Sequence, residues 1–401
     1  MITQGGTSAG CESRDQTKCS ERAPPGRIVS LDYLRGFVTV LVVLHHSVLA
    51  YCRFGHFDRR HYLWSSAPIV DSTKWSGFDL LVLFNDGYFM PLMFLLSGLF
   101  VWPSLNRKEG IAYCRDRLLR LGLPFAVAVI TVIPLAYYPS FRMTGADIGF
   151  GAFWVKTVFA GPWPAGPAWF LTLLLAFDLA AALVHSLAWR TNDTSAVPRP
   201  LICFGLLVTL SAACYLPLLM LFGAERWLSF GPFAVQASRI GLYAVYFLAG
   251  VLAGHLGFGR VPGSAPRLLW IRWLPPALLL FVCFVSIQVF RLAGWPELPP
   301  LAWTGVYGLN FVLFCAAANF AWLAIFLRFG RGLAGPWNNL ASNAYGIYIL
   351  HYPAVTWTQY ALLDIQLGPI LKAGLVFFIA LSLSWVSATV LRRIPGVARI
   401  V

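Results

Sequence analysis

The 401-residue chain is 58% hydrophobic and only 11% charged, and its formal net charge is +14. A soluble globular domain carries about 25% charged residues, so this composition excludes one and favours a polytopic membrane protein. The positive charge does not predict nucleic-acid binding, because no basic tract with interleaved aromatic residues lies outside the apolar segments. The eight cysteines form no C-x-x-C pair, so the sequence predicts neither a disulfide framework nor a metal site.

The apolar segments predict one all-α integral membrane domain over residues 28–394. Residues 1–27 are polar and lack the apolar segment of a signal peptide, so we expect a disordered cytoplasmic tail there. Residues 395–401 are expected to form a second, short cytoplasmic tail.

About ten transmembrane helices are predicted from the apolar runs. The predicted spans are 29–52, 80–102, 118–138, 167–189, 201–222, 237–258, 273–292, 303–327, 337–362 and 370–391. With this arrangement the inner segments hold about twice as many Lys and Arg as the outer segments, which predicts that both termini are cytoplasmic.

The first predicted helix carries a polar face. Eleven residues separate Arg35 from His46, and at about 100° per residue they turn the helix through three turns plus roughly 20°. The two side chains therefore share a face, about 16 Å apart along the axis, and Asp32 falls on the same face. His45 points roughly 80° away. Charge at bilayer depth costs about 3 kcal/mol or more, so this face must contact protein or a water-filled cavity.

Two further predicted helices carry polar residues at a similar depth. Asp86 in the second span and His351 in the ninth are expected in the outer half of the membrane, level with His46. A carboxylate beside an imidazole orients it and raises its basicity, as a general base requires. The same three residues fit a proton relay in a secondary transporter, and Asp86 or His351 could also be structural hydrogen-bonding residues.

A basic patch precedes the third predicted helix. It contains Arg107, Lys108, Arg115, Arg117 and Arg120. Arg117 and Arg120 are three residues apart and are predicted to share a helix face, an arrangement suited to bidentate binding of phosphates. A phosphate-bearing ligand such as acyl-coenzyme A (acyl-CoA) fits this patch, and ordinary positive-inside anchoring explains it equally well.

Several motifs resemble those of a known family. The segment LDYLRG with Arg35-x10-His46 is similar to the amino-terminal signature of the acyltransferase-3 family of integral membrane acyltransferases. Weaker similarities follow in order over about residues 28 to 393: FLLSGLF at 94–100, Arg117-x-x-Arg120 with LGLP, PAWFL at 167–171, and NAYGIYILHYP at 343–353. The first outer loop and PAWFL also resemble the branch related to glucan succinyltransferases.

The resemblance implies an enzyme that passes an acyl group from cytoplasmic acyl-CoA to an acceptor, often at the periplasmic face. Arg35 and His46 would be its essential arginine and histidine, and Arg117 and Arg120 its second arginine motif. Many members carry a glutamate shortly after the tryptophan that corresponds to Trp169, where this chain continues Phe-Leu-Thr-Leu-Leu. Either Asp86 or Asp178 replaces that carboxylate, or the chain functions without it.

We therefore expect a multi-pass O-acyltransferase of the bacterial inner membrane, transferring an acetyl or succinyl group. Acyl-CoA would be its co-substrate, with no bound cofactor, and its partners would be the lipid bilayer and a glycan or lipid-linked saccharide. The expected site residues are His46, Arg35 and Asp86 for catalysis, Arg35, Arg117 and Arg120 for the donor, and His351 and Trp169 for the acceptor. Direct transfer with His46 as base and a covalent acyl-histidine both fit, and a proton-coupled secondary transporter is the alternative function.

Overall fold

The computed structural model describes residues 29–164, 166–188, 199–258, 269–294, 297–330 and 335–400. The helices, labelled in chain order, are α1 (Val29–Leu49), α2 (Ser76–Asp86), α3 (Phe89–Gly98), α4 (Val101–Arg107), α5 (Gly110–Arg117), α6 (Leu123–Val127), α7 (Ile133–Arg142), α8 (Phe150–Phe159), α9 (Trp169–Ala188), α10 (Pro200–Phe222), α11 (Ile240–His255), α12 (Leu269–Ala293), α13 (Pro300–Phe329), α14 (Pro336–Ala361) and α15 (Pro369–Leu391). The only strands within the described residues, β1 (Trp227–Phe230) and β2 (Phe233–Gln236), form an antiparallel hairpin. The all-α prediction is confirmed.

The described residues include only part of the two predicted terminal tails. The amino-terminal tail, 1–27, lies outside the described residues. At the other end, Val397–Arg399 forms a short 3₁₀ turn.

Within the described residues, eight helices are long and apolar enough to cross a membrane. They are Ser76–Arg107, Gly110–Arg142, Gly166–Leu187, Pro200–Phe222, Ala237–His255, Arg272–Ala293, Pro300–Phe329 and Pro369–Leu391. Each coincides with a predicted span, so the chain is a polytopic membrane protein. The two remaining predicted spans are also helical, as α1 and α14. Their polar residues lower their hydropathy, and both helices can carry these residues because their polar side chains face other helices.

The second predicted span is interrupted rather than continuous. Between α2 and α3, Tyr88 leaves the helical conformation, with φ −142°. Pro91 explains the break, because it has no N–H to donate to the carbonyl of Gly87 and its ring would collide with that carbonyl. Gly87 also faces α13, where a Cβ would lie 2.4 Å from Phe314. The break leaves Asp86 as the last residue of α2.

The third predicted span runs from Gly110 to Arg142 and includes two π-helical segments. These segments, Leu118–Gly122 and Ala128–Val132, join α5, α6 and α7 into one long helix. A π-helical turn has more residues than an α-helical turn, so the side chains that follow it are rotated relative to a regular helix. This rotation affects the arginine pair described below.

Small residues allow the central helices to approach closely. Gly36 of α1 faces α14, where a Cβ would lie 3.3 Å from the Cα of Ala341. Gly250 of α11 faces α3, where a Cβ would lie 2.2 Å from the carbonyl oxygen of Leu95. Close backbone approach through small residues is a principal way in which membrane helices associate. The first contact joins α1 and α14, the two helices that carry His46 and His351, and the second joins α3 and α11.

A buried ion pair ties the first outer loop to the bundle. Lys372 of α15 donates to the carboxylate of Asp71 at 2.7 Å, and both side chains are 1% exposed. Asp71 also accepts two hydrogen bonds from Thr73, and its backbone N–H donates to Ala50 at 2.9 Å. The loop is therefore fixed beside the carboxyl-terminal end of α1, which carries the histidines.

Candidate functional site: a histidine pair and an arginine cluster inside the helix bundle

Two histidines from distant parts of the chain are in contact. His46 lies near the end of α1 and His351 in the middle of α14, where it is fully buried. The Nε2 atom of His351 lies 3.3 Å from the Nδ1 atom of His46. The two histidines, which the sequence places at a similar depth in the membrane, are thus in direct contact, and His351 lies beside His46, the residue predicted to be catalytic.

Backbone carbonyls define the tautomers of this pair. The Nδ1 atom of His351 lies 2.7 Å from the carbonyl of Tyr348, and that of His46 lies 2.9 Å from the carbonyl of Val42. A carbonyl oxygen can only accept, so each Nδ1 carries a proton and each neutral ring has a bare Nε2. The single proton on His46 Nδ1 is then shared between the carbonyl of Val42 and Nε2 of His351. The Nε2 atom of His46 has no hydrogen-bond partner among the described residues, and it is free to receive a proton.

Neighbouring side chains hold His46 in place. Gln359 donates to the backbone carbonyl of His46 at 2.9 Å. The ring of Tyr352 lies edge-on to the imidazole of His46, with centroids 5.1 Å apart. The imidazole is thus held by the backbone of α1 and by His351 and Tyr352 of α14, while Gln359 holds the backbone of His46. Such an arrangement orients a general base before its substrate arrives.

A small cavity of about 10 Å³ lies against Tyr352, whose ring contacts His46. Its lining residues come from the third membrane span, the PAWFL segment and α14, and they are Ala128, Ile133, Pro167, Ala168, Leu171, Tyr348, Ile349 and Tyr352. Gly166 precedes this segment with a φ of +47°, and a Cβ there would lie 3.2 Å from Tyr352. Glycine is therefore required for the segment to approach the site. Tyr348 donates to the carbonyl of Pro167 and closes the contact from α14.

Asp86 has a different partner from the one predicted. Its carboxylate accepts from Nη2 of Arg239 at 2.5 Å, and its backbone carbonyl accepts from Nη1 of the same residue at 3.2 Å. The helix break after Asp86 exposes this carbonyl, and a cation at a helix carboxyl terminus is favourable. Among the described residues, His46 hydrogen-bonds to Val42 and His351 and not to Asp86. The catalytic role of Asp86 therefore stays a prediction.

Arg35 lies toward the amino-terminal end of α1. Its Nη2 donates to the carbonyl of Leu96 at 3.0 Å, and its guanidinium lies over the ring of Phe100 at 4.3 Å. Asp32 is 3.9 Å away, on the same face of α1 as the sequence predicts. The side chain is 31% exposed, so part of the guanidinium remains available to a ligand.

Arg117 joins Arg35 in an arginine cluster. The two guanidinium groups are close enough to interact electrostatically. Arg117 Nε lies 3.4 Å from the carboxylate of Asp178, and Tyr113 donates to the other oxygen of that carboxylate at 2.8 Å. Asp178 is 1% exposed and Arg117 is 21% exposed. The buried carboxylate thus orients Arg117 and leaves the cluster with an accessible positive side, as an anion site requires.

Arg120 does not share the environment of Arg117. It lies in the π-helical segment Leu118–Gly122, its side chain is exposed, and its backbone carbonyl accepts from Tyr345. Regular α-helical spacing predicts a common face, but the π-helical turn and the exposure of Arg120 separate the two environments. The predicted donor-binding role of Arg120 would therefore act from the surface.

Trp169 and His351, the two predicted acceptor residues, lie in different surroundings. Trp169, the first residue of α9, stacks on Tyr243 with centroids 5.6 Å apart and packs edge-on against Trp227 of the hairpin. No contact joins Trp169 to His351 within the described residues. Trp169 instead belongs to an aromatic wall that leads through Tyr243 toward Arg239.

Sequence reasoning missed the partners of the predicted residues. Leu96, Tyr113 and Arg239 are separated from the groups they contact by 61, 65 and 153 residues, respectively. Arg239 itself stands out in the sequence as an arginine within an apolar span, which fits a site residue and a hydrogen bond between helices equally well. Within the described ranges, no three His, Cys, Asp or Glu side chains group as a metal site would need.

The fold and the interior polar residues define a multi-pass membrane protein with a site enclosed by its helices. The family model described as an acyltransferase domain, that of the acyltransferase-3 family, matches residues 28–389. The chain belongs to this family and is a membrane acyltransferase. A comparison with curated proteins found no match. The likeness to glucan succinyltransferases stays a prediction.

Proposed function

We propose that the protein moves an acyl group from acyl-CoA to a hydroxyl group of a glycan or lipid-linked saccharide. The observation that carries this proposal is His46, whose protonated Nδ1 and bare Nε2 follow from its contacts with Val42 and His351. A base with a fixed tautomer and an open Nε2 suits the deprotonation of a hydroxyl.

In this reaction, the acceptor hydroxyl gives its proton to His46 Nε2 and its oxygen attacks the thioester carbonyl. The tetrahedral intermediate collapses, an ester forms, and the carbon–sulfur bond breaks. The imidazolium returns its proton to the departing sulfur. While His46 is positively charged, His351 Nε2 stabilises it by accepting the hydrogen bond from Nδ1–H.

A covalent route uses the same atoms. His46 Nε2 would attack the thioester carbonyl, and the carbon–sulfur bond would break to release the thiolate of CoA. The acceptor hydroxyl would then attack the acyl-imidazole, so that the ester forms, the bond to Nε2 breaks and the hydroxyl proton passes to the thiolate. Both routes need His46 Nε2 to be free, so the contacts of His46 support them equally.

The donor would be held at the arginine cluster. Arg35 and Arg117 present two guanidinium groups, one ordered by Leu96 and one by Asp178, and guanidinium groups bind phosphates well. Arg35 lies about 16 Å along α1 from His46, so the phosphates and the thioester must be joined by an extended arm of that length. Acyl-CoA has such an arrangement. We propose that its phosphates bind from the cytoplasm and that transfer occurs toward the periplasmic side of a bacterial inner membrane.

Proteoliposomes test the proposed function. Purified protein would be supplied with radiolabelled acetyl-CoA or succinyl-CoA and a bacterial glycan fraction, with uptake of protons monitored in parallel. Thioester-dependent labelling of the glycan without proton-coupled uptake is expected. Uptake without labelling would instead support the secondary transporter. Mass spectrometry of surface and periplasmic glycans from a deletion strain would identify the acyl group and the acceptor.

A further inference from the structure

The ion pair of Asp86 and Arg239 is the centre of a second polar site. Arg239 is 5% exposed, whereas 41% of the Asp86 side chain is accessible. A buried ion pair costs desolvation energy that its own attraction often fails to offset, and in a membrane span it marks a function more often than a structural need. The accessible carboxylate means that a ligand can reach the pair.

Polar side chains without partners surround this ion pair. Buried polar groups in proteins are nearly always hydrogen-bonded. Here several buried side-chain atoms have no partner among the described residues, and they are His45 Nδ1, Asn85 Nδ2, Tyr215 OH, Ser238 Oγ and Arg239 Nε. Asn85 and Ser238 adjoin the ion pair in sequence, and Tyr215 and His45 interact electrostatically with it. We call these residues, with Asp86, the Arg239 cluster.

Aromatic rings line the same region. Tyr243 stacks on Trp169 at 5.6 Å and on Phe94 at 4.9 Å. Arg239 lies over the ring of Phe311 at 5.0 Å, and Tyr215 packs against that ring at 5.1 Å. Apolar and aromatic surfaces with a few convergent polar groups are the usual composition of a small-molecule site.

The charges of the cluster select the class of ligand. Arg239 only donates hydrogen bonds and Asp86 only accepts them, so the pair offers both functions at no net charge. A phosphate would be repelled by Asp86, a cation by Arg239, and an alkyl chain would leave the unpartnered groups desolvated. A neutral polyhydroxyl ligand satisfies both kinds of group and presents C–H faces to the aromatic rings.

We propose that the Arg239 cluster binds the saccharide portion of the acceptor. The assignment of this ligand as the acceptor rests on the proposed function. His45 connects the cluster to the catalytic pair, because its ring lies 5.5 Å from that of His46 and it packs against Phe89 beside the helix break. A saccharide in the cluster would thus lie on the side of α1 that His45 occupies, beside the residue that precedes the proposed base.

Binding to the full chain in nanodiscs tests this assignment without any donor. The probes are uncharged methyl glycosides of glucose, galactose, mannose and N-acetylglucosamine, with glucose 6-phosphate and choline as charged comparisons, measured by saturation-transfer NMR. We expect binding of at least one methyl glycoside and weaker binding of both charged probes. Preference for a charged probe, or no binding of any methyl glycoside to the unmodified protein, would overturn the proposal.

Two hydroxyl deletions give a matched comparison. Tyr215→Phe removes an unpartnered hydroxyl from the cluster, and Tyr51→Phe removes one elsewhere; both residues are 0% exposed. Loss of one hydrogen bond to the ligand should weaken glycoside binding about 3- to 10-fold in Tyr215→Phe and leave Tyr51→Phe unchanged. Equal affinities in the two variants contradict the location.

The ion pair is tested by removing both charges together. The double variant Asp86→Asn/Arg239→Gln avoids leaving one buried charge unpaired, which would destabilise the protein. Glycoside binding should fall at least about 10-fold, because two charge-assisted contacts are lost. Unchanged glycoside affinity in the folded double variant would contradict the proposal.

A transfer assay separates this inference from the proposed function. With the bound glycoside as acceptor, Tyr215→Phe should raise the KM for glycoside and leave that for acyl-CoA unchanged. Glycoside binding without any acyl transfer by the unmodified protein would refute the proposed function but not the binding site. Acyl transfer with an unchanged glycoside KM in Tyr215→Phe would refute the site alone.

Discussion

The contact between His351 and His46 makes a graded prediction about catalysis. His351→Leu removes the acceptor of the His46 Nδ1–H bond and keeps an apolar side chain in the buried position. Val42 still holds the tautomer of His46, so the neutral ring should be little affected. The effect should appear when His46 becomes an imidazolium, because the bond to His351 is then charge-assisted.

The size of this decrease in rate follows from the free energy that a charge-assisted hydrogen bond contributes. A hydrogen bond to a charged group contributes about 1.5–3 kcal/mol. At 1.36 kcal/mol per tenfold change in rate, kcat for acyl transfer should fall about 10- to 150-fold in His351→Leu. The KM for acyl-CoA should not change, because the arginine cluster is untouched.

His351→Gln is the matched control for this prediction. A glutamine side chain can place its amide oxygen near the position of Nε2 and accept the same hydrogen bond. Its kcat should lie within about threefold of the unmodified protein, with expression and thermal stability measured in parallel. If the glutamine variant loses as much activity as the leucine variant, or if the leucine variant keeps full activity, the assigned role of His351 is wrong.

Three further predictions concern the donor site and the packing of the helices. In steady-state kinetics, Arg35→Ala should raise the KM for acyl-CoA about 10-fold or more. Arg35→Lys should raise it less, because lysine keeps the charge and loses only the bidentate geometry. A loss confined to kcat would contradict donor binding by Arg35. Lys372→Met should lower the free energy of unfolding by about 3–5 kcal/mol, because it leaves the buried carboxylate of Asp71 unpaired. The double variant Lys372→Met/Asp71→Asn should recover most of that loss. Equal denaturation midpoints for the single and double variants would contradict a stabilising role of the ion pair. Gly250→Val should lower the free energy of unfolding by about 1–3 kcal/mol or more, because the valine side chain would collide with a carbonyl of α3. Gly205→Val should not lower it, because no atom lies within 4 Å of the added Cβ. Similar melting temperatures for the two variants would refute the packing argument.

The sequence predicts local features of this fold well. Hydrophobic runs of membrane length depend on neighbouring residues alone, so each predicted span coincides with a helix. The same holds for Arg35 and His46, whose common face follows from helical periodicity on one element. The predicted span at 80–102 shows the limit of this local reasoning. The helix breaks at Tyr88, ahead of Pro91, and neither the length nor the hydropathy of the span indicates that break.

The partners of the site residues depend on contacts across the chain. Asp86 is predicted to lie level with His46, but the helix break aims it at Arg239, 153 residues away. Arg120 is predicted to share a face with Arg117, but the π-helical segment places it at the surface. Membrane depth and helical periodicity predict how far along a helix a side chain lies and on which face. Which neighbours it meets is decided by the packing of whole helices, which the single sequence does not reveal.

The most direct test of the central claim is acyl transfer by purified His46→Ala in nanodiscs, measured as release of free coenzyme A together with labelling of the acceptor. His61→Ala is the matched control, since His61 is exposed and contacts Asp58 and Trp64, neither of which is a site residue. The proposed chemistry predicts that both signals disappear in His46→Ala and remain at the unmodified rate in His61→Ala. Unmodified rates of release and labelling in a folded His46→Ala protein would contradict it.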